Sequence, residues 1–157
     1  GPEQIDSALE RFDFAMGSFK VGDLACLELS WAGRKRRAQE HPGIDYSVFA
    51  DRLCKVGRYG QKTGAGWYRY EAANPRIALH DPLVHKMITA WRKSRSYAVR
   101  EISEEEILRH FVGALAQEGA RLLSEGIAQR MSESTWSTST AMVFRVRVER
   151  LCFMRRR

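Results

Sequence analysis

Apolar residues recur every three or four positions along much of the chain, which is the spacing of one face of an α-helix. Ile5, Ala8, Leu9 and Phe12 follow this spacing near the start. The same pattern predicts helices over residues 21–37 and 46–56. Gly57 comes directly after the second of these, where a helix commonly ends in a residue with positive φ. The first part of the chain therefore predicts a set of amphipathic helices.

Two further helices carry recognisable start signals. Asp81-Pro82 pairs an N-cap residue with proline at the first helical position, ahead of a helix through Leu83, Met87 and Trp91. Ser103 and Glu106 form a capping box, whose cap is worth about 1 kcal/mol. Behind that cap lies a long apolar stripe: Ile107, Leu108, Phe111, Val112, Leu115, Leu122 and Leu123.

Between the helices lies a glycine-rich segment with glycines at 57, 60, 64 and 66. Strand-like alternation occurs only briefly, over Trp67–Tyr70. We therefore predict an all-α fold with one glycine-rich loop. Lys62, Thr63 and Gly64 in this loop are the candidate ligand-binding residues, because a lysine, a hydroxyl and free backbone amides suit a phosphate. The alternative is a structural loop packed on the helices by its aromatic residues. The structural reading is favoured, since the string lacks the full P-loop pattern.

The net charge of +7 suggests a nucleic-acid ligand at first sight. Residues 134–157 carry six arginines and one acidic residue, so +5 lies there and the rest of the chain carries only +2. We therefore expect no specific nucleic-acid binding. No apolar run is long enough to span a bilayer, and no signal peptide is evident. The three cysteines are far apart and form no metal or redox motif, which favours a reducing, cytoplasmic location.

Catalytic and metal-binding patterns are absent from the sequence. The four histidines, at 41, 80, 85 and 110, have no evident glutamate partner at catalytic spacing. We predict no catalytic residue, no metal site and no cofactor bound by this chain.

Three segments resemble the C-terminal region of the NAD-dependent 3-hydroxyacyl-CoA dehydrogenases, especially the multifunctional enzymes of fatty-acid β-oxidation. They are the PEQID…AMGSF…DLA segment of 2–27, the GRYGQKTGAGWYRY segment of 57–70, and residues 101–133. Ser18, Cys26 and Gln117 depart from the family's Pro, Gly and Asn.

From Ser134 onward the sequence is rich in Ser, Thr and Arg and departs from the family. Shifting the reading frame by one base after Glu133 allows the family's IDVVYVNGYGFPR and PMFYA segments to be spelled. The hidden segments are similar in order and spacing to the opening of the chain, which indicates an internal repeat. We therefore interpret 1–133 as the family's helical region, comprising a first repeat, a glycine-rich connector and the start of a second. Residues 134–157 are interpreted as a frameshift-derived basic tail.

The resemblance implies that the NAD-binding Rossmann domain and its catalytic His–Glu pair lie outside this chain. The chain is then expected to contribute to the acyl-CoA cleft, to pack against the Rossmann domain, and to be inactive alone. The basic run 34–37 is interpreted as a solvated helix end, with contact to an acyl-CoA phosphate as the weaker alternative. Loss of the second repeat is expected to uncover the stripe of 107–123 and to favour self-association. The alternative function is a non-catalytic helical dimerisation or docking module.

Overall fold

The computed structural model describes residues 1–42, 49–96 and 100–127. Their order of elements confirms the all-α prediction. Within these described ranges, six α-helices, numbered in chain order, span Pro2–Arg11 (α1), Ser18–Ala25 (α2), Leu27–Glu40 (α3), Phe49–Lys55 (α4), Pro82–Ser94 (α5) and Glu104–Ser124 (α6). A 3₁₀ turn at Gln61–Thr63 and two short strands, β1 (Arg69–Glu71) and β2 (Asn74–Leu79), lie between α4 and α5. The basic tail of 134–157 lies outside the described residues.

The chain divides into two compact units. Of the described residues, the first unit comprises 1–3, 19–42, 49–96 and 100, and the second comprises 4–18 and 101–127. The first unit contains α2 to α5 and the glycine-rich loop. Its core is built from one residue of α3, three of α4 and one of α5: Leu27, Phe49, Leu53, Cys54 and Val84. Trp31, Tyr59, Trp67, Met87, Ile88 and Trp91 pack against this cluster.

The second unit contains most of α1 and all of α6. Its core is formed by two stretches that are far apart in sequence. The first stretch buries Ala8, Leu9 and Phe14, and the second buries Ile107 and Val112. The rings of Phe14 and Phe111 meet edge to face, with centroids 5.5 Å apart. The Gln4 side chain donates to the carbonyl of Ile102 at 2.8 Å. An ion pair between Arg11 and Glu104 also joins the two stretches. Apolar packing and polar contacts thus connect the separated stretches of this unit.

The predicted single helix over 21–37 is wrong. Cys26 has φ of 72°, which ends α2 and separates it from α3. Leu24 and Leu27 share the apolar spacing that predicts the single helix, but Leu24 is 53% exposed, whereas Leu27 is buried in the core. The amide of Leu27 donates to the carbonyl of Tyr59 at 2.8 Å. This bond is made to a distant segment. The regular spacing of apolar residues over 21–37 therefore could not reveal the break.

The predicted helix boundaries are confirmed where local signals set them. The Asp81 carboxylate accepts from the amide of Leu83 at 2.9 Å, and the Ser103 hydroxyl accepts from the amide of Glu106 at 3.2 Å. Gly57 follows α4 with φ of 77°. The strand β2 was not predicted. Its residues are mostly exposed and include Pro75, so it lacks the alternation of a half-buried strand. Among the described residues, no helix is both long and apolar enough to cross a membrane.

Candidate functional site: the glycine-rich loop

The glycine-rich loop, residues 60–70, closes on itself through backbone hydrogen bonds. The amide of Gly60 donates to the carbonyl of Ala65 at 2.8 Å, and the amide of Thr63 donates to the carbonyl of Gly60 at 3.1 Å. The amide of Tyr70 donates to the carbonyl of Gly64 at 2.8 Å. Gly64 has φ of 73°, a left-handed conformation that glycine adopts without a steric cost. The loop is therefore a tight, internally bonded structure.

The three predicted contact residues have different environments within this loop. The Thr63 hydroxyl accepts from the amide of Tyr59 at 3.0 Å. It also lies 3.1 Å from the carbonyl oxygen of Gly60 and 3.0 Å from that of Ala65, either of which it can donate to. The amide of Gly64 donates to the carbonyl of Gln61 at 3.1 Å. Thr63 and Gly64 are thus bonded within the loop, while the Lys62 side chain is exposed on its outside.

Asp23 of α2 is the main polar anchor of the loop. It is buried, and its carboxylate accepts three hydrogen bonds. The amide of Trp67 donates to Oδ1 at 2.9 Å, and the amide of Tyr68 donates to Oδ2 at 3.0 Å. The Tyr70 hydroxyl also donates to Oδ2, at 3.1 Å. Burial raises the pKa of Asp23 above its ordinary value, although these three donors and the charge of Arg58 oppose the rise.

Two glycines allow the loop to approach Asp23 closely. A Cβ added at Gly60 would lie 2.2 Å from the carbonyl oxygen of Asp23, and one added at Gly66 would lie 2.1 Å from Oδ1 of the same residue. Both distances are far below van der Waals contact. These two positions therefore require glycine because of packing, independently of any ligand.

A second polar contact joins the loop to the start of α5. The Arg58 Nε donates to the carbonyl of Gly66 at 3.0 Å, and Arg58 Nη2 lies 2.6 Å from Oδ2 of Asp81. Both side chains of this ion pair are largely buried, with 12% and 11% of their surfaces exposed. Burial alone would raise the pKa of Asp81, but the Leu83 amide and the Arg58 guanidinium outweigh it and lower that pKa. The N-cap of α5 thereby also fixes the loop.

The aromatic residues of the segment pack on the helices, which confirms their interpretation as core residues. Tyr68 and Tyr70 are buried. The centroid of the Trp67 ring lies 4.6 Å from the ring centroid of Phe19 and 5.4 Å from that of Phe49. They therefore do not form an open stacking platform for a ligand.

Two histidines contact glutamates at sites that are open to solvent, His80 with Glu3 and His110 with Glu106. His80 has a glutamate partner that the sequence spacing does not show, because its Nδ1 lies 2.8 Å from Oε1 of Glu3. The contact joins residues 77 apart in sequence, so no local pattern could reveal it. His85 packs its ring against His80, with centroids 5.3 Å apart. The side chains of His80 and Glu3 are 53% and 36% exposed. No cluster of three or more metal-binding side chains occurs among the described residues.

The basic run of α3 is partly neutralised by its surroundings. Arg34 pairs with Asp51 of α4, with Nη2 and Oδ1 2.6 Å apart. Lys35 Nζ lies 3.6 Å from the centroid of the Trp31 ring. Arg36 Nε lies 3.5 Å from Oε1 of Glu40. Three of the four basic residues therefore have partners within the unit, and the interpretation of the run as a solvated helix end stays a prediction.

The fold and the loop define a helical domain with a glycine-rich connector, and comparison with known proteins specifies its class. Residues 1–70 match the family described as "3-hydroxyacyl-CoA dehydrogenase, C-terminal domain". This region of the chain belongs to that family.

Multifunctional enzymes are among the relatives. The chain is 42% identical to the peroxisomal bifunctional enzyme of Cavia porcellus over 139 residues, covering 81% of this chain and 19% of that protein. It is 40% identical to the enzyme of the same name from Homo sapiens, with the same coverage. It is 30% identical to the fatty acid oxidation complex subunit alpha of Pseudomonas savastanoi, covering 83% of this chain and 18% of that protein. The chain thus spans about a fifth of the length of these curated relatives.

The fold also occurs in solved structures. One example is the dehydrogenase part of multifunctional enzyme 1 from C. elegans, which is similar with a TM-score of 0.64 and 21% sequence identity. The similarity covers 83% of this chain and 28% of that one. At this level of identity the comparison supports the fold alone.

Proposed function

We propose that the chain is the C-terminal part of a 3-hydroxyacyl-CoA dehydrogenase of fatty-acid β-oxidation, and that it contributes one wall of the acyl-CoA cleft. The reaction of that class is the oxidation of 3-hydroxyacyl-CoA to 3-ketoacyl-CoA with NAD. The observation that carries the proposal is the family match over residues 1–70, which includes the whole glycine-rich loop.

Within this proposal, Lys62 is the residue that contacts substrate. Its ammonium group is exposed on a loop whose backbone is already bonded in place. Coenzyme A carries three phosphate groups, and a lysine on a preorganised loop binds a phosphate without a further cost of ordering the backbone. Thr63 and Gly64 support the turn that presents Lys62. Contact of these two residues with the pantetheine chain is a lesser part of the proposal.

NAD and the catalytic pair belong, in this proposal, to the Rossmann domain of the same enzyme, which is the partner of this chain. The chain alone then binds no NAD and catalyses no oxidation. The test is NADH oxidation with acetoacetyl-CoA by the isolated chain. Turnover at or above about 1 per second would contradict the proposal, since that is within the range of ordinary enzymes.

The substrate contact is tested separately by titrating the isotopically labelled chain with coenzyme A and following amide chemical shifts. We expect shifts at residues 60–66. Lys62→Ala should weaken the affinity at least about tenfold, because a charge-assisted hydrogen bond is worth about 1.5–3 kcal/mol. Lys86→Ala is the matched control, since Lys86 is an exposed lysine on α5. Equal losses from both variants, or shifts confined to other segments, would argue against the contact.

A helical docking module is the second candidate, and exposed apolar residues of the first unit favour it. Leu29 is 71% exposed, and Val56 is 60% exposed. Sedimentation at several concentrations distinguishes this function from a substrate contact. A stable dimer that Leu29→Gln dissociates, in a chain that does not bind coenzyme A, would favour docking.

The origin of residues 134–157 is also a proposal. A base lost near codon 133 explains the abrupt change in composition and the family segments in the hidden frame. Nucleotide sequence across codons 130–157 tests it directly. Any DNA binding by this tail should be weak and salt-labile, because phosphate neutralisation alone would supply it. The cytoplasmic location likewise stays a prediction, and microscopy of a tagged full-length protein tests it against the peroxisome, for which the animal relatives are named.

A further inference from the structure

Asp23 contacts the glycine-rich loop both before and after Lys62. After Lys62, its carboxylate accepts from the amides of Trp67 and Tyr68, at 2.9 and 3.0 Å. Before Lys62, Gly60 packs so closely that an added Cβ would lie 2.2 Å from the Asp23 carbonyl oxygen. One residue of α2 therefore contacts both ends of the turn on which Lys62 lies.

The bonding pattern specifically requires a carboxylate. Trp67 donates to Oδ1, while Tyr68 and Tyr70 donate to Oδ2, so both oxygens are acceptors. An asparagine would place an NH₂ group against at least one of these donors. Water cannot replace the lost acceptor easily, because Asp23 is 1% exposed. An unpaired buried amide is expensive, and the loop would have to move to satisfy it.

The loop's own hydrogen bonds do not replace this anchor. The bonds between residues 60 and 65 close the turn, but they do not join it to a helix. Arg58 contacts the loop at the carbonyl of Gly66, which comes after Lys62 in the sequence. Asp23 thus joins α2 to the turn at both ends.

We propose that Asp23 is a positioning residue that sets the placement of Lys62 for contact with the phosphates of an acyl-CoA. The inference rests on the proposed function, because the Lys62 contact is part of that function. Asp23 itself does not touch the ligand.

Amide hydrogen exchange in the 157-residue chain tests the anchor without any ligand. In Asp23→Asn, the amides of Trp67 and Tyr68 should exchange at least about tenfold faster, while those of α6 keep their protection. Tyr70→Phe removes only one of the three bonds and should have a smaller effect in the same direction. Tyr70→Phe also tests the anchor if the Asp23→Asn variant does not fold. Unchanged protection at Trp67 and Tyr68 in both variants would overturn the proposal.

A double-mutant cycle on coenzyme A affinity tests the link to Lys62. Asp23→Asn and Lys62→Ala should each weaken binding about tenfold, and the double variant should bind no more weakly than Lys62→Ala alone. Losses that multiply to about a hundredfold, or full affinity in Asp23→Asn, would overturn the positioning role.

Asp51→Asn is the matched control, because Asp51 is a largely buried aspartate that pairs with Arg34 in the same unit. It should leave both the amide protection of the loop and the coenzyme A affinity unchanged; an equal effect in this control would overturn a specific role for Asp23. If the unaltered chain binds no coenzyme A, the proposed function fails. The exchange experiment then still decides whether Asp23 fixes the loop.

Discussion

The glycine-rich loop and α6 are stabilised in opposite ways. The loop depends on partners that are distant in sequence, since Asp23 lies 44 residues before Trp67. In α6, the Ser103 cap bonds to Glu106, and Arg121 pairs with Glu118 and Glu125 within one turn. The loop therefore requires the folded first unit, whereas α6 carries many of its own signals. A substitution in the loop should accordingly cost far more than one in α6.

The largest effect is expected from Arg58→Met, which removes one partner of a buried ion pair. Asp81 would be left buried and unpaired, and Gly66 would lose a donor, so stability should fall by about 3 kcal/mol. Denaturant unfolding followed by tryptophan fluorescence measures it. The lowered pKa of Asp81 means that its stabilisation is present above its ordinary pKa and is lost as pH falls through the lowered value. Arg58→Met should therefore also reduce the loss of stability in acid. A cost below about 0.5 kcal/mol, typical of a surface change, would contradict the account.

Gly66→Ala should destabilise the chain by about 2 kcal/mol, because the new Cβ would overlap the Asp23 carboxylate. Gly113→Ala is the matched change in α6, where no atom lies within 4 Å of an added Cβ. That substitution should stabilise the chain by about 0.5–1 kcal/mol, since alanine is the better helix former. Thermal unfolding followed by helical ellipticity compares the two. Changes of the same sign would remove the contrast between the regions.

A smaller loss of stability is expected from Ser103→Ala, which removes the cap of α6. The cost should be about 1 kcal/mol, and it should appear as fraying of the first turn. Hydrogen exchange of the amides of 104–107 measures this locally. Ser103→Asp is the control, because aspartate is an equally good cap and should restore protection. Failure of aspartate to do so would show that the hydroxyl acts in another way.

The same contrast explains which features could be predicted from the sequence. The caps at Asp81 and Ser103 and the helix end at Gly57 were predictable, because each depends on residues within a few positions. The break at Cys26 was not, since it joins two stretches that share one helical spacing. In the candidate site, the exposed Lys62 and the packed aromatics follow from residue type. Asp23 was missed because a single aspartate on a helix gives no local signal of three distant donors. Only the folded chain brings Asp23 to the loop.

The direct test of this contrast is to compare two synthetic peptides, residues 57–80 and residues 101–127, by NMR in water. The account predicts measurable helix in the second peptide, beginning at Glu104 and reduced by Ser103→Ala. It predicts that the first peptide lacks the loop, with no slowed exchange at Trp67 or Tyr68, because Asp23 is absent. A loop peptide that forms the native turn alone, or an α6 peptide with no helix, would contradict the central claim.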